Sequence, residues 1–367
     1  MSENQSSEPQ KNQSGDGQVK KPLTGRVEQV GEFGLIRYLT EDLKITRPTT
    51  VFGVGDDAAV LDYKDKAVLV SSDMLIEGVH FDLTYMPLHY LGYKTAVVNF
   101  SDIYAMNGLA EQFIIDLAVS NYFDLEAIDK FMSGVKQACE NYEVDLVGGD
   151  TTSALRGMQL AGTAVGGAEK DKVVYRHGAK PNDLIIVTGD LGAAYMGLQI
   201  LRRENEIFQV NPQHQPDLVP YEYIIQRQLR PEARKDVILW LDKHGIVPTS
   251  MIDISDGLSS EVIHITQRSG YGAWIYEEKI PIDPVTKSAA EELNINPLIA
   301  ALNGGEDYEL LFTIAQKDYE KIKDVPGFSI IGHITEDPGA YLITKLNEKI
   351  PLTAQGWDAF LRGNKED

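Results

Sequence analysis

Residues 90–108, YLGYKTAVVNFSDIYAMNG, together with residues 111–120, EQFIIDLAVS, decide the fold class of this chain. The first segment carries apolar residues at helical spacing, and the second is a short apolar run typical of a strand. Residues 125–142 repeat the helical pattern, and residues 144–150 and 159–168 are both strand-like. Helices and strands in this order predict a mixed α+β fold rather than a strict βαβ repeat.

The same patterns extend toward the start of the chain. Strand-like runs occur in VFGVG, residues 51–55, and in KAVLVSSD, residues 66–73. An amphipathic helix is predicted in GEFGLIRYLTEDL, residues 31–43. Residues 1–30 are polar and too poor in apolar side chains to build a core, so they are predicted to be a disordered tail.

A second cycle of strands and helices begins near residue 178. Its predicted helices and strands cover residues 193–205, 232–245, 250–270, 273–278, 310–314 and 329–334. Residues 204–224, which include several Asn, Gln and Pro, are predicted to form an extended loop. A boundary between residues 165 and 175 therefore predicts two domains, residues 31–167 and residues 168–367.

Composition limits the class of protein. The chain has 367 residues, 43% of them hydrophobic, which is enough for two cores. No apolar run approaches the roughly 20 residues of a membrane helix, and the polar start has no signal-peptide pattern. The single cysteine, Cys139, suits a cytoplasmic location. A formal charge of -21 argues against non-specific binding to nucleic acid.

Acidic turns follow several of the predicted strands. The stretch GVGDDAAVL, residues 53–61, fits the spacing of a dinucleotide-binding loop, but Asp56 and Asp57 would repel a pyrophosphate unless a cation lay between them. Similar turns supply further carboxylates and hydroxyls, namely Ser71, Ser72, Asp73, Asp102, Asp150, Asp253, Asp256, Glu306 and Asp307. Each acid alone would usually be a helix cap or a turn former. Together, these hard oxygen donors favour a magnesium or calcium site.

The motifs that the chain lacks narrow the chemistry. There is no HExxH or Cys–His cluster for zinc, no P-loop, and no protein-kinase signature. A chain rich in carboxylate turns is then expected to be a magnesium-dependent phosphate enzyme of another architecture, in which metal ions bind the phosphates of a nucleotide.

The motifs as a set resemble the thiamine-monophosphate kinase family. They are GVGDDAAV, SSDMLIEGVHF, NFSDIYAMNG, LVGGDTT, YRHGAKPND, MIDISDGLSSE, NGGEDYELLF and QGWDAF, in the same order and spacing over about residues 31 to 360. The resemblance implies a two-domain fold like that of aminoimidazole-ribonucleotide (AIR) synthase and a homodimer formed by the N-terminal domains. It also implies ATP-dependent phosphorylation of thiamine monophosphate with more than one Mg²⁺.

The resemblance also implies roles for individual residues. The magnesium ligands would be Asp57, Ser71, Ser72, Asp73, Asp102, Asp150 and Asp253, with Asp256 more peripheral. The nucleotide contacts would be Gly149, Asp150, Arg176 and Ser255. The contacts to thiamine monophosphate would be His80, Glu306 and Trp357. Catalysis would rest on Asp57, Asp73, Asp102, Asp150 and Arg176.

Two alternatives remain open at this level. Another phosphoryl-transfer enzyme of the same superfamily, acting on a different acceptor or making selenophosphate, would share the acidic turns. A non-enzymatic acidic protein that binds metal would share them as well, although it would not need His80 or Arg176. Without the resemblance, His80 would be taken as a strand histidine and Trp357 as a core residue.

Overall fold

The computed structural model describes residues 38–52, 60–61, 67–213 and 215–354. Within them, the strands form two large mixed sheets and a separate antiparallel pair. The pair consists of β1, Thr50–Phe52, and β2, Val60–Leu61.

The first sheet contains five strands. They are β3 (Ala67–Ile76), β4 (Leu109–Val119), β5 (Asp145–Gly148), β6 (Thr151–Ser153) and β7 (Met158–Ala168). The order is β3-β7-β4-β5, with β6 also paired to β4. β7 runs antiparallel to β3 and β4, whereas β5 and β6 run parallel to β4. This mixture of directions confirms the predicted α+β class.

Two long helices accompany the first sheet, α1 (Leu88–Ala105) and α2 (Leu125–Tyr142). They cross at two glycines, Gly92 and Gly134. A Cβ added at either would lie 2.0 or 1.8 Å from a backbone oxygen of the opposite helix, so the crossing needs residues without side chains. Most of α1 is buried, because it packs on α2, on the first sheet and on residues 250–253 of the second sheet. It is one of the elements that connect the two halves.

Within residues 184–351, seven strands form the second sheet. They are β8 (Leu184–Thr188), β9 (Ser250–Asp253), β10 (Gly272–Tyr276), β11 (Leu310–Ile314), β12 (Phe328–Thr335), β13 (Gly339–Ile343) and β14 (Lys349–Pro351). Their order is β14-β13-β10-β12-β8-β11-β9, and β10 with β13 is the parallel pair. Residues 169–183 connect this sheet to the first, and the predicted domain division at residues 167/168 falls just before that connection.

Among the described residues of the second half, seven α-helices are present. They are α3 (Ala193–Val210), α4 (Glu222–Leu229), α5 (Lys235–Lys243), α6 (Leu258–Ser269), α7 (Pro284–Glu292), α8 (Pro297–Asn303) and α9 (Tyr319–Ile322). The loop predicted for residues 204–224 is wrong at both ends, because α3 continues to Val210 and α4 begins at Glu222. Arg203 stabilises that extension, since it bonds to Glu204 and to Glu292 of α7. None of the helices in the described ranges is long and apolar enough to cross a membrane.

Candidate active site

Two acidic side chains meet where β3 packs against α1. Ser71 and Asp73 share one face of β3, because alternate residues of a strand point the same way. The Ser71 hydroxyl donates a hydrogen bond to Asp102 Oδ2 at 2.5 Å. The carboxyl groups of Asp73 and Asp102 lie close enough to share a hydrogen bond when one of them is protonated. The Asp73 backbone N–H donates to Asn99 Oδ1 at 3.0 Å. Strand and helix therefore hold a pair of carboxyls in contact.

A third carboxyl comes from the second sheet. Asp253 ends β9, is 3% exposed, and accepts a hydrogen bond from the Ser101 hydroxyl at 2.6 Å. Ser101 directly precedes Asp102, so a single turn of α1 joins acids from both halves of the molecule. Sequence reasoning missed Ser101, since a serine beside a predicted ligand carries no signal of its own.

Burial and mutual repulsion raise the pKa values of these carboxyls. For Asp73, burial and then the charge and hydrogen bond of Asp102 raise the pKa to about 7. Burial also raises the pKa of Asp102, although the hydrogen bond from Ser71 and the charge of Arg176 oppose it. Burial and the charge of Asp102 raise the pKa of Asp253 well above its usual range. A cation bound among these groups would relieve the repulsion.

The raised pKa of Asp73 predicts how the metal-free protein responds to pH. Its value is 3.8 when unperturbed and about 7 in the folded protein, so between these values the folded state binds more protons than the unfolded state. Stability is therefore lost as pH rises through this window. We expect the melting temperature in chelator to fall between about pH 4 and pH 7, and to fall less in Asp73→Asn. Parallel curves for the two proteins would contradict the raised pKa.

Asp102 and Asp253 border a cavity of ≈ 480 Å³ between the two halves. Ser71, Asp102, Asp253 and Arg176 line its polar part, and apolar residues of β3, α1 and β9 line the rest. A volume of this size suits a small-molecule ligand. The Arg176 guanidinium offers the planar donor pattern that matches a phosphate group. The cavity thus combines a side chain suited to a phosphate group with carboxyls that a bound cation would stabilise.

A turn of Ser255, Asp256 and Gly257 follows β9 and opens α6. The Glu261 carboxylate accepts the Asp256 backbone N–H at 2.9 Å and also that of Ser255, which fixes the turn. Burial raises the pKa of Glu261 to about 7, against these backbone donors. Glu261 was not predicted, because its position inside an amphipathic helix is that of an ordinary surface acid.

A second polar cluster lies beside α1. Glu306 Oε1 forms an ion pair with Lys94 Nζ at 2.8 Å, and Glu306 Oε2 accepts Gln228 Nε2 at 2.8 Å. Burial lowers the pKa of His80, while the charge of Glu306 raises it and that of Lys94 lowers it, so all three interact. His80 Nδ1 accepts the Ile76 backbone N–H at 3.0 Å. The structure therefore places His80 near Glu306 and Lys94.

Sequence reasoning missed Lys94 and Gln228. Lys94 lies in the apolar helix α1, and a lysine in such a helix was a signal that could have been used. Gln228 had no comparable signal, because its partner Glu306 is 78 residues away.

Ser72 and Asp150 lie apart from the carboxyl pair within this chain. Ser72 is on the opposite face of β3, where its hydroxyl donates to Gly162 O at 2.9 Å. Asp150 follows β5, which β7 and β4 separate from β3. Its backbone N–H donates to Asp116 Oδ1 at 2.7 Å, and its own Oδ1 accepts the Thr151 N–H at 2.8 Å. Their metal-binding roles stay predictions.

Gly149 is placed by close packing against β4. A Cβ at this position would lie 1.8 Å from Ile115 O, so a side chain could not be accommodated without moving the strand. Asp57 and Trp357, predicted as a metal ligand and a substrate contact, lie outside the described residues.

The acidic side chains near the cavity can be compared with the ligands that Mg²⁺ takes in proteins. Across residues 38–52, 60–61, 67–213 and 215–354, no three His, Cys, Asp or Glu side chains form a group that could hold a metal ion. In phosphate-binding sites, however, Mg²⁺ usually takes one or two carboxylates and completes its shell with phosphate and water oxygens. Asp73, Asp102 and the Ser71 hydroxyl are hard donors of that kind. These residues fit magnesium bound together with a phosphorylated ligand.

Several known proteins are similar in sequence to this chain over most of its length. Residues 55–168 match the family described as AIR synthase related protein, N-terminal domain. The thiamine-monophosphate kinase of Aquifex aeolicus is 35% identical over 91% of this chain and 100% of its own length. That of Bacillus subtilis is 33% identical over 90% and 99%. The chain belongs to the thiamine-monophosphate kinase family. The predicted family is thereby confirmed.

Solved structures agree with this membership in the thiamine-monophosphate kinase family. AaThiL complexed with AMPPCP and TMP is 33% identical, with a TM-score of 0.69 over 91% of this chain and 99% of that one. The thiamine-monophosphate kinase of Stenotrophomonas maltophilia has a TM-score of 0.71 over 84% and 94%, at 29% identity. Escherichia coli HypE, a hydrogenase maturation protein, shares the fold alone, with a TM-score of 0.68 at 17% identity over 89% of this chain and 98% of its own. These matches confirm the predicted AIR-synthase-like fold.

Proposed function

We propose that this chain transfers the γ-phosphoryl group of ATP to thiamine monophosphate, forming thiamine diphosphate, at the cavity between its two halves. The observation that carries the proposal is that Asp102 and Asp253 line one cavity together with Arg176, while Asp73 lies beside Asp102. Crowded carboxyls beside a phosphate-binding arginine suit phosphoryl transfer, in which positioning and charge neutralisation supply most of the catalysis. The complex of AaThiL with AMPPCP and TMP supports this assignment.

Magnesium, as more than one ion, is part of the proposal. Asp73, Asp102 and the Ser71 hydroxyl would hold metal on the first half, and Asp253 would hold it on the second. When bound, magnesium would neutralise phosphate oxygens and orient the transferring group. Further ligands proposed from the resemblance are Asp57, Ser72, Asp150 and Asp256.

The chain's own residues would orient both substrates. Arg176 would bind phosphate oxygens of the ATP donor. Gly149 would let the backbone approach the nucleotide closely, and Ser255 would contact the nucleotide from the turn before α6. Glu306 and His80, which lie near each other beside α1, would contact the acceptor. We also propose Trp357 as an acceptor contact and a cytoplasmic location for the protein.

No side chain is required as a general base. The acceptor is a phosphate monoester whose second pKa lies near 6, so its attacking oxygen is already ionised at pH 7. The barrier is the approach of two anions, which Arg176 and metal would offset, with the oxygens placed in line.

This mechanism predicts the pH dependence of His80 and Glu306 variants. Single-turnover transfer in His80→Gln and Glu306→Gln should retain the same pH profile as the unsubstituted protein, although acceptor binding weakens. The measurement is the rate constant at saturating acceptor from about pH 5.5 to pH 8.5. Loss of a limb of the profile near pH 6 to 7 in one variant would identify that residue as a base.

A homodimer through the outer face of β3 is also proposed. Val68, Val70 and Met74 are 48%, 63% and 58% exposed and alternate along β3, which is an edge strand of its sheet. An exposed apolar row on an edge strand would pair with other chains unless it were covered. A second copy of this chain fits best, because a two-fold interface places the same row on both partners. Ser72 lies in that row and would enter the interface.

The dimer predicts a specific effect of charge on β3. Val70→Glu should shift the protein from dimer to monomer in sedimentation-velocity experiments, because it places like charges at the two-fold interface. Val210→Glu changes another exposed apolar residue, on α3, and should leave the dimer intact. An unsubstituted protein that is monomeric at micromolar concentration would contradict the proposal.

A panel of acceptors separates this function from the two alternatives. Thiamine monophosphate should be phosphorylated far faster than thiamine, whereas a superfamily member with another role would prefer a different acceptor, such as selenide. A non-enzymatic metal-binding protein would phosphorylate none of them and would bind Ca²⁺ without nucleotide.

A further inference from the structure

Lys94 is a buried charge that the proposed chemistry does not use. Its side chain is 1% exposed, and its Nζ lies 2.8 Å from Glu306 Oε1 and 3.2 Å from the backbone oxygen of Gln228. Lys94 lies in α1, Glu306 lies in the segment before β11, and Gln228 lies in α4. Removing a charged lysine from water is costly, so a buried lysine is normally paired with an acid. The position of the Lys94 ammonium group therefore fixes that of the Glu306 carboxylate.

Gln228 holds the same carboxylate from a second side. It is 3% exposed, and its Nε2 donates to Glu306 Oε2 at 2.8 Å. Its own Oε1 is buried and has no hydrogen-bond partner among the described residues. A buried amide selected for stability alone would satisfy both ends. Gln228 is therefore oriented to bind Glu306, although this leaves its own Oε1 without a hydrogen bond.

Glu306 is strained and still accessible. Its φ of +59° lies in the left-handed region, which is unfavourable for a residue with a side chain, and its backbone N–H donates to Ser255 O at 2.7 Å. Its side chain keeps 31% exposure. Lys94 and Gln228 each bind one carboxylate oxygen from the buried side, which leaves the exposed edge to meet a ligand.

Helix α1 sets the distance from the Glu306 carboxylate to the carboxyl groups at the cavity, where the phosphates are proposed to bind. Lys94 precedes Ser101 by seven residues, which is two helical turns, so both point to the same side about 10 Å apart. Ser101 contacts Asp253, and the next residue, Asp102, contacts Ser71. One rigid helix thus fixes Glu306 relative to the carboxyls that border the cavity.

We propose that Lys94 and Gln228 are positioning residues that hold the Glu306 carboxylate in place for the ring portion of the acceptor. The acceptor would extend along α1, with its ring end at Glu306 and His80 and its phosphate near Asp102. This inference rests on the proposed function. Because Lys94 acts through Glu306, its loss should matter only while Glu306 is a carboxylate.

A double-mutant cycle tests this dependence. Steady-state kinetics with ATP, Mg²⁺ and thiamine monophosphate would compare Lys94→Met, Glu306→Gln and the double variant. We expect Lys94→Met to raise the KM for thiamine monophosphate by about 10-fold or more, with the KM for ATP unchanged. The double variant should be no worse than Glu306→Gln alone, because the two residues act as one unit.

A matched control and a second variant make the result decisive. Lys235 also bonds a backbone oxygen and a carboxylate, those of Tyr142 and Glu143, and Lys235→Met should leave both KM values unchanged. If Lys94→Met does not yield folded protein, Gln228→Met replaces it in the same cycle.

Additive increases in KM would mean that Lys94 or Gln228 acts independently of Glu306, and would overturn the inference. Loss of kcat and melting temperature with KM unchanged would also overturn it, in favour of a role in folding alone. Absence of transfer to thiamine monophosphate by the unsubstituted protein would instead refute the proposed function.

Discussion

Replacing Asp102 with asparagine should lower phosphoryl transfer at saturating ATP by about 100-fold or more. Asparagine keeps the size of the side chain but removes one charge between Asp73 and Asp253, the two groups whose pKa values its charge raises. Weaker metal binding is the expected cause, so high Mg²⁺ should restore only part of the rate. Initial rates over a series of Mg²⁺ concentrations measure both effects.

The stability of the same variant should change in the opposite direction. Without metal, its melting temperature should stay level or rise, because removing one charge relieves repulsion at a site built for function. The increase in melting temperature on adding Mg²⁺ and ATP should shrink, since that increase follows ligand affinity. If the acids are only turn formers, Asp102→Asn will lose stability with and without metal and keep its activity per folded molecule.

Replacing Gly134 with alanine should lower the free energy of unfolding by about 2–3 kcal/mol. The new Cβ would lie 1.8 Å from the backbone oxygen of His89, so α1 and α2 would have to move apart. The backbone of α1 cannot rotate away from the new Cβ as a flexible side chain could. Because α1 also packs on the second half, moving it would disturb those contacts too. Denaturant unfolding measures the change.

A substitution on the same helix provides the control. Asp129→Ala lies on α2, away from the crossing with α1, and should change stability by no more than about 0.5 kcal/mol. If Gly134→Ala and Asp129→Ala have equal effects, the helices do not approach as closely as the structure shows.

Local periodicity was sufficient to predict most of the fold. The predicted helix of residues 90–108 corresponds to α1, and the strand of residues 111–120 corresponds to β4. Repeated acidic turns pointed to Asp102 and Asp253, which line one cavity, and to Asp73, which lies beside Asp102. These predictions succeeded because strand ends and helix faces are encoded by neighbouring residues.

Contacts between distant segments were not predictable in this way. Lys94 meets the backbone of Gln228 across 134 residues, and no local pattern links them. Alternation along β3 does separate Ser72 from Ser71 and Asp73, but only the hydrogen bonds show which face meets α1. The end of α3 was misjudged, because a polar helix that is held by ion pairs has the composition of a loop.

The most direct test of the account follows the γ-phosphoryl group itself. The full chain would be incubated with γ-labelled ATP, Mg²⁺ and thiamine monophosphate, and the labelled products separated. The account predicts that label appears in thiamine diphosphate, that this needs both Mg²⁺ and thiamine monophosphate, and that Asp102→Asn slows it by about 100-fold or more. Label released only as free phosphate, at a rate that thiamine monophosphate does not change, would contradict it.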